Sequence, residues 1–197
     1  TDNGVAAVMA VQTHDSPKMP AITFASSAAL DPEDAIRKAL EEVTHTARWM
    51  YTLMHKAGPV PTSDGYTNVD SQERHLQFWA DHAHRPLADF IFASDSMMAF
   101  TDMELLESGD PTRDLGTLIE RISATGHRAL SVDVTAPDVA DAGLRVVRAL
   151  VPGYHPLIMG YTDRATGGTR LWTVPQSLGY PGVDPASGDN PLPHPFP

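Results

Sequence analysis

Two short apolar runs open the chain, Val5 to Gln12 and Ala21 to Ala25, parted by His14, Asp15, Ser16 and Pro17. Such runs bounded by turn-forming residues predict two strands joined by a turn. Asp31-Pro32-Glu33-Asp34 then reads as a helix start: Asp as N-cap, Pro at the first helical position, and acids in the first turn, where they complement the helix dipole. The period that follows is helical. Ile36, Leu40, Val43, Ala47, Met50 and Met54 fall on one stripe, and Gly58-Pro59 ends it, so a helix is predicted over 32–56.

Residues 58–70, rich in Gly, Pro, Ser and Asp, read as a loop. Ser71 or Asp70 caps a second predicted helix running to about Ala83, and Pro86 to Phe92 begins another. Asp110-Pro111 starts a third periodic segment carrying Leu115, Leu118, Ile119 and Ile122, closed by Gly126 in C-cap position. Ala129 to Val134 and Leu144 to Val151 are strand-like, with a short helical turn at Asp138 to Ala142 between them. Gly167-Gly168 reads as a hairpin turn before a strand over Arg170 to Val174. The expected fold class is α/β (mixed α+β): one sheet from the runs at 5–12, 21–25, 129–134, 144–151 and 170–174, with helices at 32–56, 71–83 and 111–125. No internal repeat is visible.

Composition narrows the class. An apolar share of 42% against 20% charged residues, over 197 residues, suffices for one domain with a hydrophobic core. No apolar run has membrane-spanning length, and no charged-then-apolar leader opens the chain. The first residue is Thr1 rather than Met, which gives the expectation that the chain begins inside a longer product or after trimming. Cysteine is absent, so a disulfide framework and thiolate metal sites are excluded and a reducing, cytoplasmic setting is favoured. A net charge of −11 argues against nucleic acid and anionic membrane as partners.

The end of the chain differs in kind. Residues 181–197 hold six prolines and close on Pro191-x-Pro193-x-Pro195-x-Pro197. Alternating prolines fix φ at every second residue and disfavour helix in their neighbours, so the tail is expected to be extended and stiff. A stiff segment loses little conformational entropy on docking and can hold its terminal carboxylate at a defined place.

Chemistry-bearing side chains are few. A second stripe of the first helix, Ala35, Ala39, Glu42, Thr46, Trp49 and Leu53, places Glu42 beside small residues, about 100° from the middle of the apolar face. That leaves room for a ligand or metal, although by spacing alone Glu42 reads first as a solvated boundary residue. His45 lies one turn on and could share a partner with it. Of nine histidines, His75, His82 and His84 are the closest set, but positions 82 and 84 of a helix point about 200° apart and cannot share a tetrahedral site. No HExxH, EF-hand, GxSxG, Walker or GxGxxG pattern occurs.

Ala28-Ala29-Leu30-Asp31-Pro32-Glu33-Asp34-Ala35, with Ala39-Leu40-Glu41-Glu42 after it, resembles the YcaO segment that introduces a late ligand-bearing helix. Val132-Asp133-Val134-Thr135 and Gly143-Leu144-Arg145-Val146-Val147-Arg148-Ala149-Leu150-Val151-Pro152-Gly153 look like the closing strands of that family, and the terminal prolines are similar to the PxPxP ending of its azoline-forming members. The resemblance implies a YcaO-like sheet flanked by helices, with 1–180 as the C-terminal part of a YcaO domain and 181–197 as its proline-rich tail.

It also implies an activity: ATP- and Mg²⁺-dependent conversion of Cys, Ser or Thr in a ribosomal precursor peptide to thiazoline or oxazoline, with phosphorylation of the backbone amide oxygen. Carried over by position, Glu42 is a Mg²⁺ or ATP ligand, His45, Arg48 and Arg148 are cofactor-binding, and the Pro197 carboxylate, aimed by Pro193 and Pro195, is catalytic. Relatives often have Gln at His45 and Arg where Ala47 stands, next to Arg48. The acidic ExxER-like motif of the family does not occur here, so the remaining YcaO half is expected as a partner. The precursor peptide, an E1-like or ocin-ThiF-type leader-binding partner or domain, and a homodimer complete the implied partners. Two alternatives stay open: a thioamide-forming YcaO protein, against which the tail argues, and a degenerate peptide-binding or scaffold module.

Overall fold

A computed structural model describes the chain from Thr1 to Phe196 apart from Thr62 and Thr166, and the side chain of Asp64. The opening hairpin forms as the alternation requires. β1 (Ala6–Thr13) pairs antiparallel with β2 (Ile22–Ala29), with Ala10 opposite Ala25 and Ala6 opposite Ala29. Their loop is tied by the His14 amide donating to the Ala21 carbonyl at 3.1 Å. β2 runs four residues beyond the predicted strand, because Ser26 to Ala29 continue the ladder in register.

α1 (Pro32–Ala57) starts where Asp31-Pro32 predicts, with the Asp31 carboxylate accepting the Glu33 amide at 2.8 Å. It ends at Gly58, whose φ of 69° only glycine adopts without strain. Its buried face keeps Val43, Ala47 and Met50 of the predicted stripe but turns to Ala35 and Ala39 in place of Ile36 and Leu40. Ala35, Ala39, Val43, Thr46, Ala47 and Met50 are buried, whereas Leu40 is 55% exposed. Small residues at 35 and 39 let the helix approach the sheet closely, and Ala39 and Val43 pack on Ala10 and Ala25.

α2 (Gln72–Ala80), which ends three residues before the predicted helix does, is buried from His75 to Ala80. It packs against α1 and β2, and Leu76, Phe78 and Trp79 join Ile22, Phe24, Met50 and Val69 in the main core. Phe24 and Trp79 meet edge-on with centroids 5.6 Å apart. Burying each such side chain contributes about 1.5–3 kcal/mol. Arg85–Phe92 forms a 3₁₀ segment where the third helix start was read.

The second half departs further from expectation. α3 (Pro111–Ala124) is capped by Asp110, which accepts the Thr112 amide, with Gly126 at φ 78° just past its end. β3 (Leu130–Asp133) and β4 (Val147–Leu150) pair antiparallel around α4 (Pro137–Asp141). They form a second two-stranded sheet, so the single mixed sheet expected from the sequence is corrected to two separate antiparallel sheets among the described residues. The strand expected at 170–174 is a helix, α5 (Arg170–Ser177). The Thr169 carbonyl accepts the Trp172 and Thr173 amides, and no strand lies alongside to reward the β-propensity of these residues. Arg170 anchors α5 to the chain start by a two-pronged ion pair with Asp2 (2.7 and 2.8 Å), and its guanidinium holds the Asp2 carboxyl below the usual carboxylate range.

Candidate functional site

Two adjoining cavities flank the C-terminal segment. The larger, about 670 Å³ and open, lies between β2 and α1 and is lined by Ser26, Ser27, Lys38, Glu41, Glu42 and His45, with Leu157 and Phe196 closing one side. The extension of β2 beyond Ala25 supplies the two serines. The helical spacing of α1 sets Lys38, Glu42 and His45 on the flank next to its buried Ala39–Val43 line.

Charge is distributed unevenly there. Arg37 pairs with both Asp34 (2.8 Å) and Glu41 (2.9 Å), and Lys38 lies 3.5 Å from Asp34. The Glu42 carboxylate has no ion pair among the described residues. An unpaired carboxylate beside two hydroxyls and an ammonium suits a phosphate-bound divalent cation, which takes one or two carboxylates and fills its remaining positions with phosphate oxygens and water. Among the described residues no three His, Asp or Glu side chains converge into a self-sufficient metal site. Lys38, Glu42 and His45 therefore fit a contribution to a metal–nucleotide site.

The second cavity, about 420 Å³, is mainly apolar. Phe24, Trp79, Tyr161 and Leu171 line its body side, and Asp189 to Phe196 form the other wall. Phe196 and Leu157 border both cavities, so the chain end passes along one and reaches the other. It is held by body donors on successive carbonyls. Arg164 Nη2 donates to Asn190 O (2.8 Å), Tyr161 Oη to Pro191 O (2.5 Å), Trp79 Nε1 to Pro193 O (3.1 Å) and His75 Nδ1 to His194 O (2.8 Å). An ion pair between Arg164 and Asp189 adds to them. Burial pushes the His75 and His194 imidazoles below the ordinary histidine range, which keeps the stacked pair neutral.

A model of the family described as YcaO cyclodehydratase, ATP- and Mg²⁺-binding, matches residues 1–155, well over half of the chain. The chain belongs to the YcaO family. Among solved structures, similarity to two heterocyclases extends over 99% of the chain. The structure of the heterocyclase TruD aligns at 28% identity with a TM-score of 0.64, and a heterocyclase in complex with substrate and cofactor aligns at 25% with a TM-score of 0.71. The chain spans 24% of the length of each. No curated protein sequence matches it. The mixed α/β architecture is the one these heterocyclases share.

Of the residues that the YcaO resemblance singles out, Glu42 and His45 line the larger cavity, and Pro193 and Pro195 line the adjoining one. Arg48 lies on the exposed surface of α1, outside both sets of lining residues. Arg148 sits on β4 opposite Val132, also outside them. Pro197 lies outside the described residues. The histidine set disperses: His82 faces the Met19 carbonyl (3.0 Å), His84 the Phe78 carbonyl (2.7 Å) and His75 the tail. Sequence reasoning missed Ser26, Ser27, Trp79, Tyr161 and Arg164. The one available signal was Trp79 beside Phe78 near the end of α2, whose indole N–H needs a partner when buried.

Proposed function

We propose that this chain forms part of an ATP-dependent peptide cyclodehydratase that converts Cys, Ser or Thr of a ribosomal precursor peptide to thiazoline or oxazoline. The observation that carries the reading is the meeting of Glu42 and the chain end at one cavity, where Phe196 faces Ser26, Ser27, Lys38 and His45. Activation of the amide oxygen by phosphoryl transfer from ATP needs metal ions to neutralise phosphate charge and a positioned base to take the amide proton. Glu42 would contribute a metal ligand, and Lys38 and His45 would face the phosphates. The Pro197 carboxylate, aimed by Pro193 and Pro195, would act as the base that accepts the amide proton. Arg48 and Arg148 carry no support from either cavity and drop to secondary candidates.

Further parts are proposed with this one. The upstream YcaO half would bring the remaining acidic ligands, which accords with a single unpaired carboxylate here. Its covering would also explain the exposed apolar side chains of Val132, Val134 and Val147. A leader-binding E1-like partner or domain would deliver the peptide.

The test is turnover of a precursor peptide by the intact protein, read as loss of one water per ring in the mass spectrum. Glu42→Gln should lower kcat by about 100-fold or more, the usual scale for removing one element of a phosphoryl-transfer clamp, and should weaken ATP binding in calorimetry. Deleting the last three residues should abolish ring formation while leaving the fold intact by circular dichroism. Full activity in both variants would end the reading. Exchange of oxygen for sulfur in place of water loss would move the protein to the thioamide class.

A further inference from the structure

We propose that His194 is the register key of the tail: its ring, read by His75 and the Ile158 carbonyl, selects one of several otherwise equivalent ways of docking a proline-alternating segment.

The problem is set by the sequence. Pro191, Pro193 and Pro195 repeat every second residue, so a shift of two residues lays proline on proline and carbonyl on carbonyl. Prolines offer no amide hydrogen, so the body can read this backbone chiefly through its carbonyls. The indole of Trp79 and the hydroxyl of Tyr161 would find a carbonyl in the shifted register too. Upstream of the repeat the partly exposed Arg164–Asp189 ion pair opposes a shift; within the repeat side chains must break the tie, and the ones between these prolines are Leu192, His194 and Phe196. Only histidine among them carries a polar group.

His194 makes a set of contacts that neither neighbour could replace. Its Nε2–H donates to Ile158 O at 2.9 Å, and its ring stacks on His75 with centroids 3.9 Å apart and planes 19° from parallel. His75 is fully buried and donates from Nδ1 to the backbone carbonyl of His194 itself. Both acceptors are carbonyls, so each imidazole must present N–H to its partner, and the tautomers are thereby assigned. The second nitrogen of each ring, His75 Nε2 and His194 Nδ1, is buried without a hydrogen-bond partner among the described residues, and burial favours the neutral form of both rings over the backbone carbonyls that act the other way. In a register shifted by two, Leu192 or Phe196 would meet His75 and leave the Ile158 carbonyl without its donor. With His194 seated, Phe196 arrives at the cavity that Glu42 lines.

The inference rests on the proposed function only for its catalytic consequence, and two readouts on the intact protein keep these apart. The first is the rate at which a post-proline-cleaving endopeptidase cuts after Pro193 and Pro195, followed by intact mass. The second is kcat and KM with the precursor peptide. In His194→Leu, cleavage should rise about five- to tenfold, as expected for losing one or two net hydrogen bonds, while kcat falls and KM stays. His194→Gln, which can still reach the Ile158 carbonyl with an N–H, should restore much of the protection. Leu192→His combined with His194→Leu is the decisive variant: it should regain protection in the register shifted by two yet keep a low kcat, because the chain end then overshoots. Should the tail variants perturb folding, Trp79→Phe and Tyr161→Phe, judged at equal melting temperature, test the carbonyl contacts instead. Cleavage rates in His194→Leu indistinguishable from the parent would overturn the proposal, as would a double variant that remains fully cleavable. Increased cleavage with unchanged kcat would uphold the register key and count against the catalytic role of the tail.

Discussion

The two halves of the molecule use similar apolar residues and bury them very differently. In the first, Ile22, Phe24, Met50, Val69, Leu76 and Phe78 are all at most 1% exposed, and α1, α2 and the β1–β2 hairpin close around them. In the second, every residue of β3 and β4 is exposed, α3 buries none of its side chains, and Leu115, Leu130, Val132, Val147 and Leu150 face outward. The total accessible surface is 12534 Å², against about 9,100 Å² expected for a compact monomer of this mass. Regular structure therefore does not require a core of its own: hydrogen-bonded ladders and capped helices shape the second half, while burial stabilises the first.

The contrast can be broken by substitution. In this chain on its own, Phe24→Ala should cost about 3–5 kcal/mol, the range for emptying an aromatic core site, whereas Val132→Ala should cost no more than about 0.5 kcal/mol at a position that only the upstream half would cover. Denaturant titration of the two variants checks this, and comparable losses would show that β3 is covered in solution. Native-state hydrogen exchange sharpens the comparison. Amides of the β1–β2 ladder should exchange only near global unfolding, and those of β3–β4 orders of magnitude faster by local opening.

A smaller effect is expected with pH. The folded His75 and His194 lie below their ordinary value of 6.5, so the state with the tail released binds more protons. Docking is then fully supported above that value and weakens progressively as pH falls through and below it. Endopeptidase cleavage after Pro193 should accordingly accelerate between about pH 7.5 and pH 5, and His194→Gln should flatten that dependence. The smallest contrast concerns helix caps. Asp31→Ala and Asp110→Ala each remove one side-chain cap, worth about 1 kcal/mol. Only the first should lower global stability by that amount, because α1 is packed in the core; the second should merely fray α3, detectable as faster exchange at its first turn.

How much of this was legible follows the range of the interactions. Helix starts at Asp31-Pro32 and Asp110-Pro111 are local, written in adjacent residues, and both formed as read. The buried face of α1 was not, because Ile36 and Leu40 outweigh Ala35 and Ala39 in any hydrophobicity pattern, while the sheet selects for small side chains. Leu171 to Val174 favour a strand in isolation, yet among the described residues no strand pairs with them, and they close helical hydrogen bonds instead. The place of Glu42 on the flank of α1, beside small residues, was legible, but the serines that line the same cavity come from a strand extension that periodicity did not reach. The tail anchors were least accessible, since His75 and Trp79 meet their carbonyls across 119 and 114 residues, and no local pattern encodes a contact of that span.

The seam between α1 and the first sheet has a consequence for how this sequence can vary. Ala35 and Ala39 are fully buried where helix and strands come closest. That place tolerates glycine or serine more readily than valine or leucine, because width rather than polarity is what it screens. Any bulkier residue there would act as a spacer and swing Lys38, Glu42 and His45 away from Ser26 and Ser27, altering the mouth of the cavity without touching any of its lining residues.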